Sequence, residues 1–130
     1  MKIVINKCYG GYGLSTEAVL RYAELKGITL YAQKTSLFTH FYTVPVEEYK
    51  KLDKEAQKTR DYSKLNNLYF TCRSIERNDP LLVQVVEELG EIADGDYAEL
   101  HVVEVPDDVE WEINEYDGME HIAESHRSWR

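Results

Sequence analysis

Cysteine is scarce in this sequence, with Cys8 and Cys72 the only two among 130 residues. Two cysteines do not supply the disulfide framework that stabilises small secreted domains, so we expect reduced thiols. The N-terminal apolar run of Ile3, Val4 and Ile5 is far shorter than the roughly 20 residues that a membrane helix needs. These absences predict a cytoplasmic protein that does not act at a membrane.

Lysine and arginine are absent between Arg77 and Arg127. Residues 76–130 hold 3 basic and 17 acidic residues, whereas residues 1–75 hold 12 basic and 7 acidic ones. A surface with so many carboxylates repels phosphates, which disfavours direct nucleic-acid binding by that half. It is compatible with a basic protein partner or with mimicry of nucleic acid.

Catalytic motifs are also missing. The sequence has no G-x-S-x-G, no P-loop and no H-E-x-x-H. With 24 acidic residues, an acid/base pair cannot be singled out. We therefore expect no catalytic residue, no metal ligand and no cofactor, and a protein that binds rather than catalyses.

The apolar periodicity predicts an α+β fold, with a mixed, largely antiparallel sheet and about four helices packed on it. It begins with a strand–glycine loop–helix unit. The strands are predicted at 2–6, 28–33, 37–44, 68–72, 98–105 and 111–116, and the helices at 16–26, 46–58, 80–89 and 119–127.

A chain of 130 residues suits a single domain spanning 1–130. Residues 34–67 include the charged helix predicted at 46–58.

A glycine-bearing loop follows the first predicted strand and precedes a helix, which is where backbone amides can gather a phosphate. The alternative is a tight connection with packed tyrosines. The candidate ligand-binding residues are Asn6, Lys7, Tyr9, Gly10, Gly11, Gly13 and Ser15.

Arg73 and Arg77 flank the predicted junction between a strand and a helix. Guanidinium groups can hold a phosphate or a carboxylate with two parallel hydrogen bonds. Both residues are therefore candidates for ligand binding. The alternative for Arg77 is an ion pair with one of the many neighbouring carboxylates.

The C-terminal region contributes aromatic and cationic candidates, which could stack on a base or form an oligomer interface. They are Trp111, His126, Arg127 and Trp129. For Trp111 alone, a place in the core is the favoured interpretation. His121 and Glu124 would share one face of the predicted terminal helix, but no third metal ligand is identified.

Several segments resemble a family of small uncharacterised proteins of phages and prophages. They are the N-terminal MKIVINKCYGGYGLS, residues 76–80, 85–90, 105–113 and 115–118, His126-Arg127 and Trp129. The resemblance covers about half to two-thirds of the chain and leaves out residues 34–67. It therefore implies that this segment, with the charged helix at 46–58, is a variable insertion in the domain.

The resemblance implies a role in the host cytoplasm. It favours a homo-oligomeric, ligand-binding protein that antagonises host defence by sequestering a nucleotide immune signal. The first alternative is an acidic inhibitor or DNA mimic that binds a host defence protein. The second alternative is a small nucleotide hydrolase.

Overall fold

The computed structural model describes residues 1–35, 39–65 and 68–124, which form two compact units. The first unit combines Met1–Tyr22 with the described chain from Ile75 onwards, and the second is Ala23–Ser74. The second unit is continuous in sequence and contains the described part of the segment interpreted as an insertion. The first is assembled from two stretches that are distant in sequence.

The described residues of the first unit contain four strands, which form two antiparallel pairs. They are β1 (Lys2–Asn6), β5 (Leu100–Glu104), β6 (Trp111–Tyr116) and β7 (Met119–Glu124). Strand β1 pairs with β5, and Ile3 lies opposite Val103. Strands β6 and β7 form a hairpin in which Ile113 lies opposite Ile122.

The second unit contains a three-stranded antiparallel sheet in the order β2-β3-β4. Its elements are β2 (Tyr31–Lys34), β3 (Thr39–Tyr42), helix α2 (Val46–Thr59) and β4 (Tyr69–Phe70). A 3₁₀ turn at Cys72–Ser74 follows β4. The charged helix predicted at 46–58 corresponds to α2.

Helix α1 (Thr16–Lys26) and helix α3 (Pro80–Leu89) both begin at side-chain caps. The Ser15 hydroxyl accepts a hydrogen bond of 3.1 Å from the Ala18 amide. The Asp79 carboxylate accepts one of 2.9 Å from the Leu81 amide, and Pro80 occupies the first helical turn. These caps satisfy amides that have no partner within the helix, which fixes where each helix starts.

The core of the first unit is centred on β1, where Ile3, Val4 and Ile5 are buried. Ile3 and Ile5 belong to a cluster with Val105, against which the partly buried hairpin residues Trp111, Ile113 and Ile122 pack. Helix α3 packs on β1 and β5 and buries Leu82, Val83, Val85 and Val86. Apolar side chains therefore cover β1 and hold the hairpin against it.

The structure confirms an α+β chain with antiparallel strand pairing, but it corrects the helix count. The described residues contain three α-helices, not about four, and the strands form three small sheets. The helix predicted at 119–127 is wrong over 119–124, which form β7. The reason is the Asp117-Gly118 turn, a two-residue connection that favours a hairpin over the helical propensity of the next residues.

Helices in the described ranges are all too short or too polar to cross a membrane.

The charge asymmetry seen in the sequence follows the two units. The chain of the first unit, residues 1–22 and 75–130, carries 6 basic and 18 acidic residues, a net charge of −12. The second unit, residues 23–74, carries 9 basic and 6 acidic residues, a net charge of +3. The strong acidity is therefore a property of the first unit alone.

Candidate functional site

Three segments of the first unit meet at one place. They are the glycine loop (residues 7–14), residues 95–99 and the hairpin turn at Asp117 and Gly118. A Cβ atom on Gly118 would lie 2.5 Å from the amide nitrogen of Gly11, and one on Gly95 would lie 2.8 Å from the carbonyl carbon of Gly13. The Gly95 amide also donates a hydrogen bond of 3.0 Å to the Gly13 carbonyl. Such close backbone approaches leave no room for a side chain, so they require glycine.

Gly10 is subject to the same restriction from Tyr97. A Cβ atom on Gly10 would collide with the carbonyl oxygen and the Cβ atom of Tyr97. Gly10 in the loop, and Gly95 and Gly118 beside it, therefore allow backbone segments to pack closely. This arrangement corresponds to the tight connection considered for the loop from its sequence.

Asn6 ties the three segments together. Its side-chain amide donates hydrogen bonds of 2.7 Å to the carbonyl oxygens of Cys8 and Gly118. Its side-chain oxygen accepts bonds from the amides of Cys8, at 3.2 Å, and Glu99, at 2.8 Å. Because Asn6 is fully buried, these bonds satisfy a polar group that would otherwise be costly to bury.

Arg77 and Glu120 form an ion pair at the outer edge of β1. The Val4 amide donates to the Arg77 carbonyl at 2.8 Å, and the Arg77 guanidinium donates to the Val4 carbonyl at 3.2 Å. The Asn6 amide donates to the Glu120 carboxylate at 2.8 Å. The Arg77 carbonyl and the side chains of Arg77 and Glu120 provide hydrogen bonds that a neighbouring strand would otherwise supply, which protects an open strand edge.

An aromatic ring completes the surroundings of this ion pair. The Cζ atom of Arg77 lies 3.4 Å from the ring centroid of Tyr12, which is the geometry of a cation–π contact. The Arg77 guanidinium, a candidate for phosphate binding, is thus engaged by Glu120 and by Tyr12 within the first unit.

A cleft of about 590 Å³ opens beside the glycine loop. Its lining residues are Tyr9, Gly10, Gly11, Glu115, Asp117 and Gly118. Asp117 and Gly118 have φ angles of 48° and 88°, as expected of the type I′ turn that joins β6 to β7. The cleft therefore lies between the glycine loop and the turn of the hairpin.

Exposed tyrosines and carboxylates dominate this surface. Tyr9 is 63% exposed and Tyr97 is 73% exposed, although both adjoin the tightly packed Gly10. Glu115 and Asp117 are also exposed, and neither forms an ion pair with any residue that the structure describes. The surface combines aromatic rings with negative charge.

The remaining candidates are dispersed. Lys7 is exposed, and the Ser15 hydroxyl both caps α1 and donates to the Ile92 carbonyl at 2.5 Å. Arg73 is exposed in the 3₁₀ turn of the second unit. Trp111 packs on the core cluster of the first unit, as favoured for that residue. His126, Arg127 and Trp129 lie outside the described residues.

His121 and Glu124 do not share a helix face, because both lie in β7. Residues three apart in a strand lie on opposite faces, so they are not placed to act together. Among the residues of the described ranges, no group of three His, Cys, Asp or Glu side chains could hold a metal ion.

A cluster of aromatic rings in the second unit was not anticipated from the sequence. The ring centroid of Tyr42 lies 4.1 Å from that of Tyr49 and 5.8 Å from that of Tyr69. His40 contacts Tyr69 through a hydrogen bond of 3.2 Å. Burial raises the pKa values of Tyr42 and Tyr49 above the usual tyrosine value. Neighbouring groups, including Asp53, add a smaller upward shift of these pKa values.

The sequence alone did not place Glu120, Tyr12, Gly95, Tyr97 or Gly118 beside the glycine loop. For Gly118 a signal was present, because an Asp-Gly pair after a strand predicts a tight hairpin turn. Applied to β6, that signal would have placed Glu120 on a returning strand. Nothing local in the sequence indicates the approach of Gly95 to Gly13.

Comparison with family models, curated proteins and solved structures finds no match to this chain.

Proposed function

We propose that this chain is a protein-binding module whose first unit contacts its partner through the surface beside the glycine loop. The observation that carries the proposal is the exposure of Tyr9 and Tyr97 next to the carboxylates of Glu115 and Asp117. Tyrosine is enriched in protein interfaces because its ring buries apolar area while its hydroxyl remains polar. The net charge of −12 in the first unit favours a basic partner surface.

The same surface is less suited to a phosphate-bearing ligand. Arg77 forms an ion pair with Glu120. The polar side-chain atoms of Asn6 and Ser15 form hydrogen bonds within the protein. The cleft itself is bordered by Glu115 and Asp117, whose charges repel phosphate. These contacts favour the acidic protein-binding inhibitor over the nucleotide-sequestering protein.

The resemblance to phage proteins suggests the identity of the partner. In this proposal the module acts in the host cytoplasm and binds a defence protein whose functional surface is basic, such as one that normally contacts nucleic acid. Assembly of the chain into a homo-oligomer is a separate proposal, which light scattering of the purified protein tests.

Site-specific photocrosslinking in host lysate tests the proposed surface. Benzoylphenylalanine in place of Tyr97 should crosslink to a host protein, because Tyr97 adjoins the cleft. The same group in place of Tyr62, which is 48% exposed in the second unit, is the matched control and should not form that product. The same product from both positions, or no product from position 97, would refute the proposal.

Incubation with cyclic and ADP-ribose-derived nucleotides tests the other hypotheses. We expect no change in melting temperature, because the cleft is acidic. A ligand recovered intact from the denatured protein would instead support sequestration, and a chemically altered ligand would support a hydrolase.

A further inference from the structure

The cleft beside the glycine loop brings one aromatic ring and two carboxylates to the same opening. Tyr9 contributes the ring, and Glu115 and Asp117 contribute the charges. The backbones of Gly10, Gly11 and Gly118 line the remainder, and a volume of about 590 Å³ is ample for one long side chain. Because the turn and the loop are fixed by the glycine contacts and by Asn6, the opening is preformed.

We propose, building on the proposed function, that this cleft receives an arginine side chain of the protein partner. A guanidinium group is planar, so it can stack on a tyrosine ring while its N–H groups pair with carboxylates. The opening supplies both elements, with carboxylates that lie on the hairpin and a ring that lies on the loop.

The first unit already contains an internal example of this recognition. Arg77 lies 3.4 Å from the centroid of the Tyr12 ring and binds Glu120 through two hydrogen bonds. Tyr9 and Glu115 provide the same pair of chemical groups in the cleft. The difference is exposure, since Tyr9 and Glu115 are open to solvent.

Charge complementarity supports a cation rather than a neutral group. Glu115 lies directly opposite Glu120 in the hairpin, where two like charges repel each other. Arg77 compensates Glu120, whereas Glu115 has no ion-pair partner within the described ranges. A cation from the partner would compensate the second charge of this pair.

Binding of labelled peptides, measured by fluorescence anisotropy, tests the inference. Hexa-arginine should bind more tightly than hexa-lysine, because an ammonium group has no plane to stack on the ring. Hexa-citrulline, which keeps the shape of arginine without its charge, should not bind.

Two double variants with the same change in net charge locate the site. Glu115→Gln with Asp117→Asn should weaken hexa-arginine binding about fivefold, the effect of losing two exposed ion pairs. Asparagine tolerates the positive φ of position 117, so the turn is retained. The control, Asp108→Asn with Glu110→Gln, changes exposed carboxylates that do not line the cleft and should have less than about half that effect.

Tyr9→Leu should weaken hexa-arginine binding and remove the preference for arginine over lysine, with circular dichroism confirming that the fold is retained. Equal weakening by both double variants, equal affinity for the arginine and lysine peptides, or no hexa-arginine binding would overturn the inference. A photocrosslink from position 97 whose yield is not reduced by Glu115→Gln with Asp117→Asn would also overturn it, while leaving the proposed function intact. Absence of any crosslink from position 97 is the outcome that refutes the proposed function itself.

Discussion

Arg77 and Glu120 join the hairpin to the outer edge of β1 through a bidentate ion pair. The Nη1–Oε1 distance is 2.7 Å, the Nη2–Oε2 distance is 2.8 Å, and the Glu120 side chain is only 5% exposed. The same groups bond to the backbone of Val4 and Asn6. One pair of side chains therefore positions the hairpin, and with it the turn that borders the cleft.

Arg77→Met should destabilise the chain by about 3–5 kcal/mol, because it removes the guanidinium from a buried carboxylate. Urea denaturation measures the change in the free energy of unfolding. Glu87→Ala is the control, since it breaks the exposed Lys2–Glu87 pair at 3.0 Å and should cost less than about 1 kcal/mol. Similar costs for the two variants would show that the Arg77–Glu120 pair is not structural.

Adding Glu120→Leu to Arg77→Met should recover only part of the lost stability. The second substitution removes the buried charge, which alone would be favourable. It also removes the acceptor of the Asn6 amide, which costs about 1–3 kcal/mol when that amide stays buried. Full recovery would mean that the bonds to the edge of β1 contribute nothing.

Gly118→Ala should destabilise the first unit by about 3 kcal/mol, from backbone strain and overpacking combined. Gly118 has a φ of 88°, and a Cβ atom there would meet the backbone of Gly11. Gly27→Ala separates the two effects, because Gly27 has a φ of 79° but open space around its Cα. Thermal unfolding should show a clearly smaller cost for Gly27→Ala, and equal costs would argue against the close crossing.

Asp79→Ala should cost more stability than Tyr22→Phe. The Asp79 carboxylate caps α3 through the Leu81 amide and accepts a hydrogen bond of 2.6 Å from the Tyr22 hydroxyl. Loss of a helix cap costs about 1 kcal/mol, and Tyr22→Phe leaves that cap in place. Chemical denaturation of both variants distinguishes them, and a larger loss in Tyr22→Phe would contradict the assignment.

The second unit should lose stability as the pH rises above about 10, the usual tyrosine pKa. Because the folded pKa values of Tyr42 and Tyr49 are raised, the folded state holds its phenolic protons where the unfolded state has released them. Stability is therefore full below the unfolded pKa and falls as the pH rises through the folded pKa. Absorbance at alkaline pH follows the titration, and Tyr42→Phe should flatten the dependence of unfolding on pH.

Local signals predicted much of the secondary structure. Ser15 and Asp79 identified the starts of α1 and α3, because a helix cap depends on residues within one turn. Over residues 119–124 the prediction failed, since Met119, Glu120 and Ala123 favour a helix until pairing with β6 is considered.

The site was harder to predict because its contacts are not local. The sequence indicated that Arg77 could pair with a carboxylate, but it did not indicate which of the many carboxylates. The glycine spacing suggested a phosphate loop, whereas Gly10 is required by the approach of Tyr97, and Gly95 and Gly118 are required by the approach of the loop backbone. The spacing of residues in a sequence indicates which of them are neighbours on one helix or strand. The residues that meet at this site are distant in sequence and come together only when the unit has folded.

The discontinuous construction of the first unit has a consequence for the order of folding. The Asn6 amide donates a hydrogen bond to Glu120, which lies 114 residues later in the chain. The hydrogen bonds along the outer edge of β1 therefore cannot be completed until nearly the whole chain has been synthesised. During synthesis the second unit can form first, while Ile3, Val4 and Ile5 remain available for aggregation. Stalled or truncated chains that end before β5 should therefore depend on chaperones to stay soluble.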